Sequence, residues 1–385
     1  MNVEALAAAD AESIAPPAEA RPTLAVLDGV RGISILMVLV HHVCLIQGSS
    51  SQVDVLTERL TRPLWTGVDL LFLLSGFLIT KSLVEAPGKM ALGNFYVRRS
   101  LRILPLYLVS LVFFLVLLPA MPWQGFDQFR QIDSQGALSF WLASMNYHYA
   151  VEAAPANLGH FWSLCVEIHF YLLWPLLLLG FRHRLMPLCL GGILLVFAMR
   201  VYSIKTGIWT PELGYHASHL RFDSLLWGAL VFAVNRSYGG NEHLQRWLPR
   251  LFIPFAMVAA SFLVFGRTRS SESGNMFGFP AVDISFAIFL LLVLRQKQGF
   301  ISAVLLVPFV RLAGKLSYAI YVFHFPMLLL CRELLFHGDF PEWHGMVWPA
   351  ALLTGALALP LTFLIAWISW HVLEKPCLSL KRRFA

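Results

Sequence analysis

The sequence predicts an all-α, polytopic transmembrane bundle of about ten spans, with one short interfacial or re-entrant helix. Three observations predict it. Of the 385 residues, 58% are hydrophobic and only 13% are charged, and mean hydropathy is +0.67; soluble domains carry about 25% charged residues. Apolar runs near the ~20 residues that cross a hydrocarbon core recur from end to end. Lysine and arginine are distributed unevenly about those runs, as in membrane proteins of fixed orientation.

The first 25 residues are Ala-rich, acidic and Pro-containing. They lack the basic start and apolar core of a signal peptide and read as a disordered cytoplasmic tail. Residues 26–376 form one membrane domain, and 377–385 a short basic cytoplasmic tail. The spans fall at 30–47, 64–84, 103–121, 160–181, 185–203, 217–235, 249–266, 277–295, 308–331 and 346–371. The segment 137–151, "ALSFWLASMNYHYAV", is too short and polar to span. With this topology, 20 of the 29 lysines and arginines share the side of the N-terminus and 9 lie opposite. Letting 137–151 span would put "RHR" (182–184), "RQK" (295–297) and "KRR" (381–383) outside. Both termini are therefore expected in the cytoplasm, with the bacterial inner membrane as the site.

The net charge of +7 would suggest nucleic acid in a soluble protein, but here it follows the membrane asymmetry. Membrane lipids are the expected partner, and nucleic acid is not. The five cysteines are dispersed with no CxxC pair, which argues against a disulfide framework or zinc site. No solenoid repeat and no second domain is evident.

Ionisable residues inside spans are costly and carry a functional expectation. Arg31 and His42 are eleven residues apart, only about 20° past three full helical turns, so they share a face roughly 16 Å apart along the axis. Taken singly, Arg31 reads equally as a snorkelling anchor, and His42 reads more readily as a packed, hydrogen-bonded core histidine. His41 turns about 100° away and reads as structural. Asp69 lies in "TGVDLLFLLSGFLITK", Glu167 and His169 in "HFWSLCVEIHFYLLWP", and Tyr318, Tyr321 and His324 in "LSYAIYVFHFP". His42, Asp69, Glu167 and His324 all fall in the outer half of the membrane. A carboxylate beside an imidazole raises its basicity, as deprotonating a hydroxyl requires. The competing reading is a polar network that only locks helices together.

"NFYVRRSLRILPLY" places Arg99 and Arg102 on one helix face at the cytoplasmic surface, where Arg98 and Arg31 join them. Lipid headgroups are the ordinary partners of such a run. A phosphorylated donor is the functional alternative, because guanidinium binds phosphate bidentately. Arg221 and Asp223 in "HLRFDSLLWGAL" read as a local ion pair or helix cap, or as part of a substrate network with Tyr318 and His324. GxSxG, Walker, HExxH and GxGxxG motifs are absent. Glu167 and His169, two residues apart, point to different faces and make a poor metal pair, so no metal is expected.

Seven stretches in order resemble the acyltransferase family 3 of integral membrane proteins: "LDGVRGISILMVLVHH", "GVDLLFLLSGFLIT", "FYVRRSLRILPLY", "FWSLCVEIHFYLLWP", "RFDSLLWGAL", "LSYAIYVFHFP" and "ISWHVLEKP". The resemblance covers about residues 24–380. It implies an O-acyltransferase that moves an acyl group, commonly acetyl from acetyl-CoA, to a hydroxyl of a sugar, surface polysaccharide or related acceptor. Arg31 and His42 match the family's Arg-x10-His motif, Arg99 and Arg102 its donor-side Arg-x-x-Arg motif, and Glu167 its "SLSVE"-like glutamate. Ile168 and His169 depart from the family, which often has a second acid and a glutamine there. No C-terminal SGNH-type domain is seen, so the chain is expected to act alone or with another protein.

The expectation is that Arg31, Arg99 and Arg102 hold acyl-CoA, while His42, oriented by Glu167 or Asp69, activates the hydroxyl of a carbohydrate or lipid-linked glycan. His42 acylated as a relay is equally compatible. The rival class is a transporter or flippase of lipid-linked glycans, since membrane His and Glu also relay protons. A scaffold is disfavoured by the buried ionisable layer.

Overall fold

The computed structural model describes residues 20–45, 51–85, 92–122, 132–152, 157–265, 271–295 and 299–381, and nearly all of the structure is helical. Most of the predicted N-terminal tail, and residues 382–385 of the C-terminal one, lie outside the described residues. The first helix, α1, runs Ala20–Val43 and so begins before the expected end of that tail. It is followed by α2 (Gln52–Thr61), α3 (Gly67–Val84) and α4 (Leu92–Val112), which continues through a π-turn to Ala120. Two short helices, α5 (Ser134–Trp141) and α6 (Met145–His148), occupy the segment predicted to be interfacial, and eight and four residues cannot cross a bilayer.

Next come α7 (Trp162–Phe181), α8 (Leu185–Lys205), α9 (Pro211–His216), α10 (Ser218–Tyr238), α11 (Glu242–Val264) and α12 (Phe279–Arg295). The chain finishes with α13 (Phe300–Leu305), α14 (Pro308–Lys315), α15 (Ser317–Phe336), α16 (Trp348–Ser369) and α17 (Lys375–Ser379).

Among the described residues, eight segments are long and apolar enough to cross a membrane. The difference from ten has identifiable causes. Gly159–Lys205 counts as one segment but holds α7 and α8, joined by a 3-10 turn at Arg182–Arg184. The 21-residue α10 is not among the eight because polar residues, including His219, Arg221, Asp223 and Asn235, lower its mean hydropathy. The expected span 308–331 is counted among the eight but starts later, since the run is broken after Lys315 and short α14 precedes α15.

Backbone proximity organises the bundle. A Cβ on Gly76 of α3 would lie 1.8 Å from the Leu225 oxygen of α10, and one on Gly228 of α10 would lie 1.8 Å from the Leu73 oxygen. These reciprocal glycines let α3 and α10 touch backbone to backbone, the packing mode that replaces the hydrophobic effect between membrane helices. Helix α1 is gripped in the same manner by α13 and α14, where Gly314 meets the Asp28 oxygen. This holds Arg31 in place. The Asp54 carboxylate of α2 caps α16 from a distance, accepting from the Val347 and Trp348 amides at 2.7 and 3.0 Å.

Polarity is inverted relative to a soluble domain. In α11 only Leu248 and Ala259 are buried, while Ile253, Met257, Val258 and Val264 point outward. Asp69, Arg200, Arg221, Asp283 and His324 are instead fully enclosed. A lipid surround explains both: apolar side chains face hydrocarbon at no cost, and ionisable ones must find partners inside.

Candidate active site

Arg31 and His42 stand at opposite ends of one face of α1. From the Arg31 end a cavity of about 80 Å³ runs into the bundle. Arg31, Arg99 and Arg102 line it together with Ser75, Ser163, Glu167, Tyr171, Tyr318 and Tyr321. The predicted arginines thus converge, although α1 and α4 are far apart in sequence. Arg99 lies 5.7 Å from the rings of Phe95 and Tyr171. Tyr318 donates to the Ile103 oxygen at 2.9 Å and ties α15 to α4 just past the arginines.

Glu167 faces this cavity. Its carboxylate accepts from the Ser75 hydroxyl and from the Tyr171 hydroxyl, the latter at 3.1 Å. Further in, Ser163 donates to the Tyr321 hydroxyl at 2.7 Å, and Tyr321 donates to the His160 backbone oxygen at 2.9 Å. The cavity therefore leads from guanidiniums, past a carboxylate, to hydroxyls that abut a histidine cluster.

That cluster comprises His42, His324 and His160. Ring centroids are 4.9 Å apart for His42 and His324, and 5.1 Å for His160 and His324. His42 Nδ1 lies 2.9 Å from the Val38 backbone oxygen. A carbonyl can only accept, so Nδ1 carries the proton in the neutral ring and Nε2 carries the lone pair. The backbone of α1 thus fixes one nitrogen of the imidazole. The Glu167 and Asp69 carboxylates are bonded to other side chains.

Asp69 pairs with Arg221, and both side chains are fully buried. Asp223 pairs with Arg200 at 2.7 Å, and Arg200 also donates to the Leu220 oxygen at 2.6 and 3.1 Å. Arg221 and Asp223 thus do not form the expected local pair. Positions i and i+2 diverge by about 200° on a helix, so each side chain takes its partner from another helix. Arg221 also stacks on the Phe279 ring at 4.1 Å. This network knits α3, α8, α10 and α12 together beside the cavity.

Three members escaped the sequence reading. Arg200, within the span expected at 185–203, is fully buried. Asp283, fully enclosed in α12, was passed over within an apolar run. His160 is seven residues before Glu167, nearly two full turns, and that spacing could have revealed it as lying on the same face. Among the described residues, no group of three or more His, Cys, Asp or Glu is placed to hold a metal ion.

Comparison with known proteins adds two findings. Residues 24–370 match the family model described as "Acyltransferase domain". The O-acetyltransferase OatA of Staphylococcus aureus (strain NCTC 8325 / PS 47) is 24% identical over 377 residues, which cover 91% of this chain and 56% of that protein. The peptidoglycan O-acetyltransferase OatA of Listeria monocytogenes is 23% identical over 376 residues, with 91% and 55% covered. The putative peptidoglycan O-acetyltransferase YrhL of Bacillus subtilis is 26% identical over 377 residues, with 91% and 54% covered. The chain spans about half the length of these relatives. No solved structure matches it.

Proposed function

Because the chain belongs to the acyltransferase 3 family, we propose that it is a membrane O-acyltransferase carrying acetyl from cytoplasmic acetyl-CoA to a hydroxyl of a surface glycan. Peptidoglycan, named for two of the relatives, is the first acceptor to test. The observation that carries the reading is the layout along α1. Arg31, with Arg99 and Arg102, lines the cavity, and His42 stands at the far end of the same helix face.

In this reading the three guanidiniums bind the donor phosphates. The pantetheine arm enters past Glu167, which its Ser75 and Tyr171 bonds hold in a single orientation. The thioester arrives near the histidines. His42 Nε2 takes the proton of the acceptor hydroxyl, and the oxygen attacks the thioester carbonyl. The C–S bond then breaks, the thiolate takes the proton from the imidazolium, and the products are an ester and free CoA thiol. The Val38 bond keeps the reactive tautomer in place through the cycle.

The test is thiol release from acetyl-CoA by the purified protein in vesicles. His42→Ala should lower the rate by about 10²–10⁴-fold, the usual contribution of general acid–base catalysis. Retained activity would remove His42 from the mechanism. A wild-type protein that releases no thiol would favour the transporter class.

A further inference from the structure

Two nitrogen atoms beside His42 have no part in the chemistry so far. His160 Nε2 lies 3.2 Å from the Val322 backbone oxygen, and His324 Nδ1 lies 2.7 Å from the Tyr321 backbone oxygen. Each of these ring nitrogens must donate, so the opposite nitrogen of each neutral ring carries a lone pair. Those atoms are His160 Nδ1 and His324 Nε2. Both are buried and neither has a hydrogen-bond partner in the protein. An acceptor left unpaired in the interior is destabilising, and such atoms are retained where something else supplies the donor.

The chemistry of the partner follows from the tautomers. Two neutral acceptor nitrogens select a hydroxyl or N–H donor and disfavour the electron-rich oxygens of a phosphate or carboxylate. In the acyl-transfer reading the donor phosphates are served by the arginines that line the cavity. The two histidines sit beside His42, where the acceptor hydroxyl must arrive, and the Ser163–Tyr321 pair at the inner cavity wall reaches the His160 backbone oxygen.

We infer that His160 and His324 form a hydroxyl-reading wall of the acceptor subsite. They accept hydrogen bonds from a second hydroxyl or amide of a polyhydroxylated acceptor while His42 deprotonates the hydroxyl that is acylated. This inference rests on the acyl-transfer reading above.

Reciprocal amide substitutions separate recognition from structure, because an asparagine amide overlays Nδ1 and a glutamine amide overlays Nε2. His160→Gln and His324→Asn keep the bonds to the Val322 and Tyr321 oxygens but remove the lone-pair acceptors. His160→Asn and His324→Gln do the reverse. The full chain is assayed in phosphatidylethanolamine–phosphatidylglycerol vesicles, with acetyl-CoA as donor and the N-acetylglucosamine–N-acetylmuramic acid disaccharide as acceptor. His160→Gln and His324→Asn should each raise the acceptor KM roughly tenfold, with the acetyl-CoA KM within about twofold of wild type. His160→Asn and His324→Gln, which keep the acceptor atom, should raise the acceptor KM severalfold less, again with the acetyl-CoA KM within about twofold. The opposite pattern, or equal losses in all four variants, would show a purely structural role and overturn the inference. Wild-type thiol release without transfer to the disaccharide would overturn the assignment of a polyhydroxylated acceptor. A wild type that releases no thiol would overturn the acyl-transfer reading, and the inference with it, before any histidine variant is made.

Discussion

Replacing Arg221 with leucine tests whether the buried charge network holds the bundle together. Arg221 and Asp69 both have side chains at 0% exposure. Removing the guanidinium leaves the Asp69 carboxylate enclosed without its partner, a change that costs about 3–5 kcal/mol in buried pairs. Loss of the stack on Phe279 adds to that. Replacing both residues, as Asp69→Leu with Arg221→Leu, removes the stranded charge and should recover about 2 kcal/mol or more. Lys81→Ala is the control, because its pair with Glu85 is exposed and should change stability by no more than about 0.5 kcal/mol. Unfolding in detergent micelles by a graded denaturant reads all four proteins. An Arg221→Leu protein within about 1 kcal/mol of wild type, or a double variant no more stable than Arg221→Leu, would refute the argument. Acetyl transfer by the double variant then decides the role of Asp69. Restored stability with transfer retained fits a structural carboxylate, whereas restored stability with transfer lost would give Asp69 a part in the chemistry.

Two further outcomes follow from packing and charge. Gly228→Val places a side chain where Cβ already lies 1.8 Å from the Leu73 oxygen, so α3 and α10 must separate and the yield of folded protein in membranes should fall several-fold, while Gly191→Val, at an open position, should leave it unchanged. Lys381, beyond the last membrane segment, has its pKa lowered to about 8 by burial and then by Arg102, Arg99 and Arg98. The unfolded chain holds that proton up to about pH 10.4, so folding stability should rise as pH increases from about 8 to about 10.4. Lys381→Met should flatten this rise in a series of thermal midpoints against pH, and an unchanged slope would show that Lys381 is not its source.

The parts of the site legible in sequence are those whose geometry is helical and local. Arg31 with His42, and Arg99 with Arg102, are related by turns of a single helix, so spacing alone places each pair on one face. The interfacial segment was legible for a similar reason, since its length and polarity forbid a span. The partners of the charged groups were not. Arg221 and Asp223 are neighbours in sequence, yet they bond to Asp69 on α3 and Arg200 on α8. His160 was hidden because its significance depends on Val322 and His324 in α15, more than 150 residues away.

The sequence by itself determined that this chain is a membrane helical bundle, and which helix faces carry cations, a carboxylate and histidines. Lipid immersion imposes long apolar runs, and the 3.6-residue period converts spacing into facing. Only the tertiary structure decided that the arginines of α1 and α4 line one cavity, that the Val38 carbonyl of α1 bonds the His42 ring, and that two more histidines join it. Those outcomes depend on which helices touch and at what depth. In this bundle that is set by glycines that bring backbones together and by buried charges that must each find a partner, and neither is a property of any one segment.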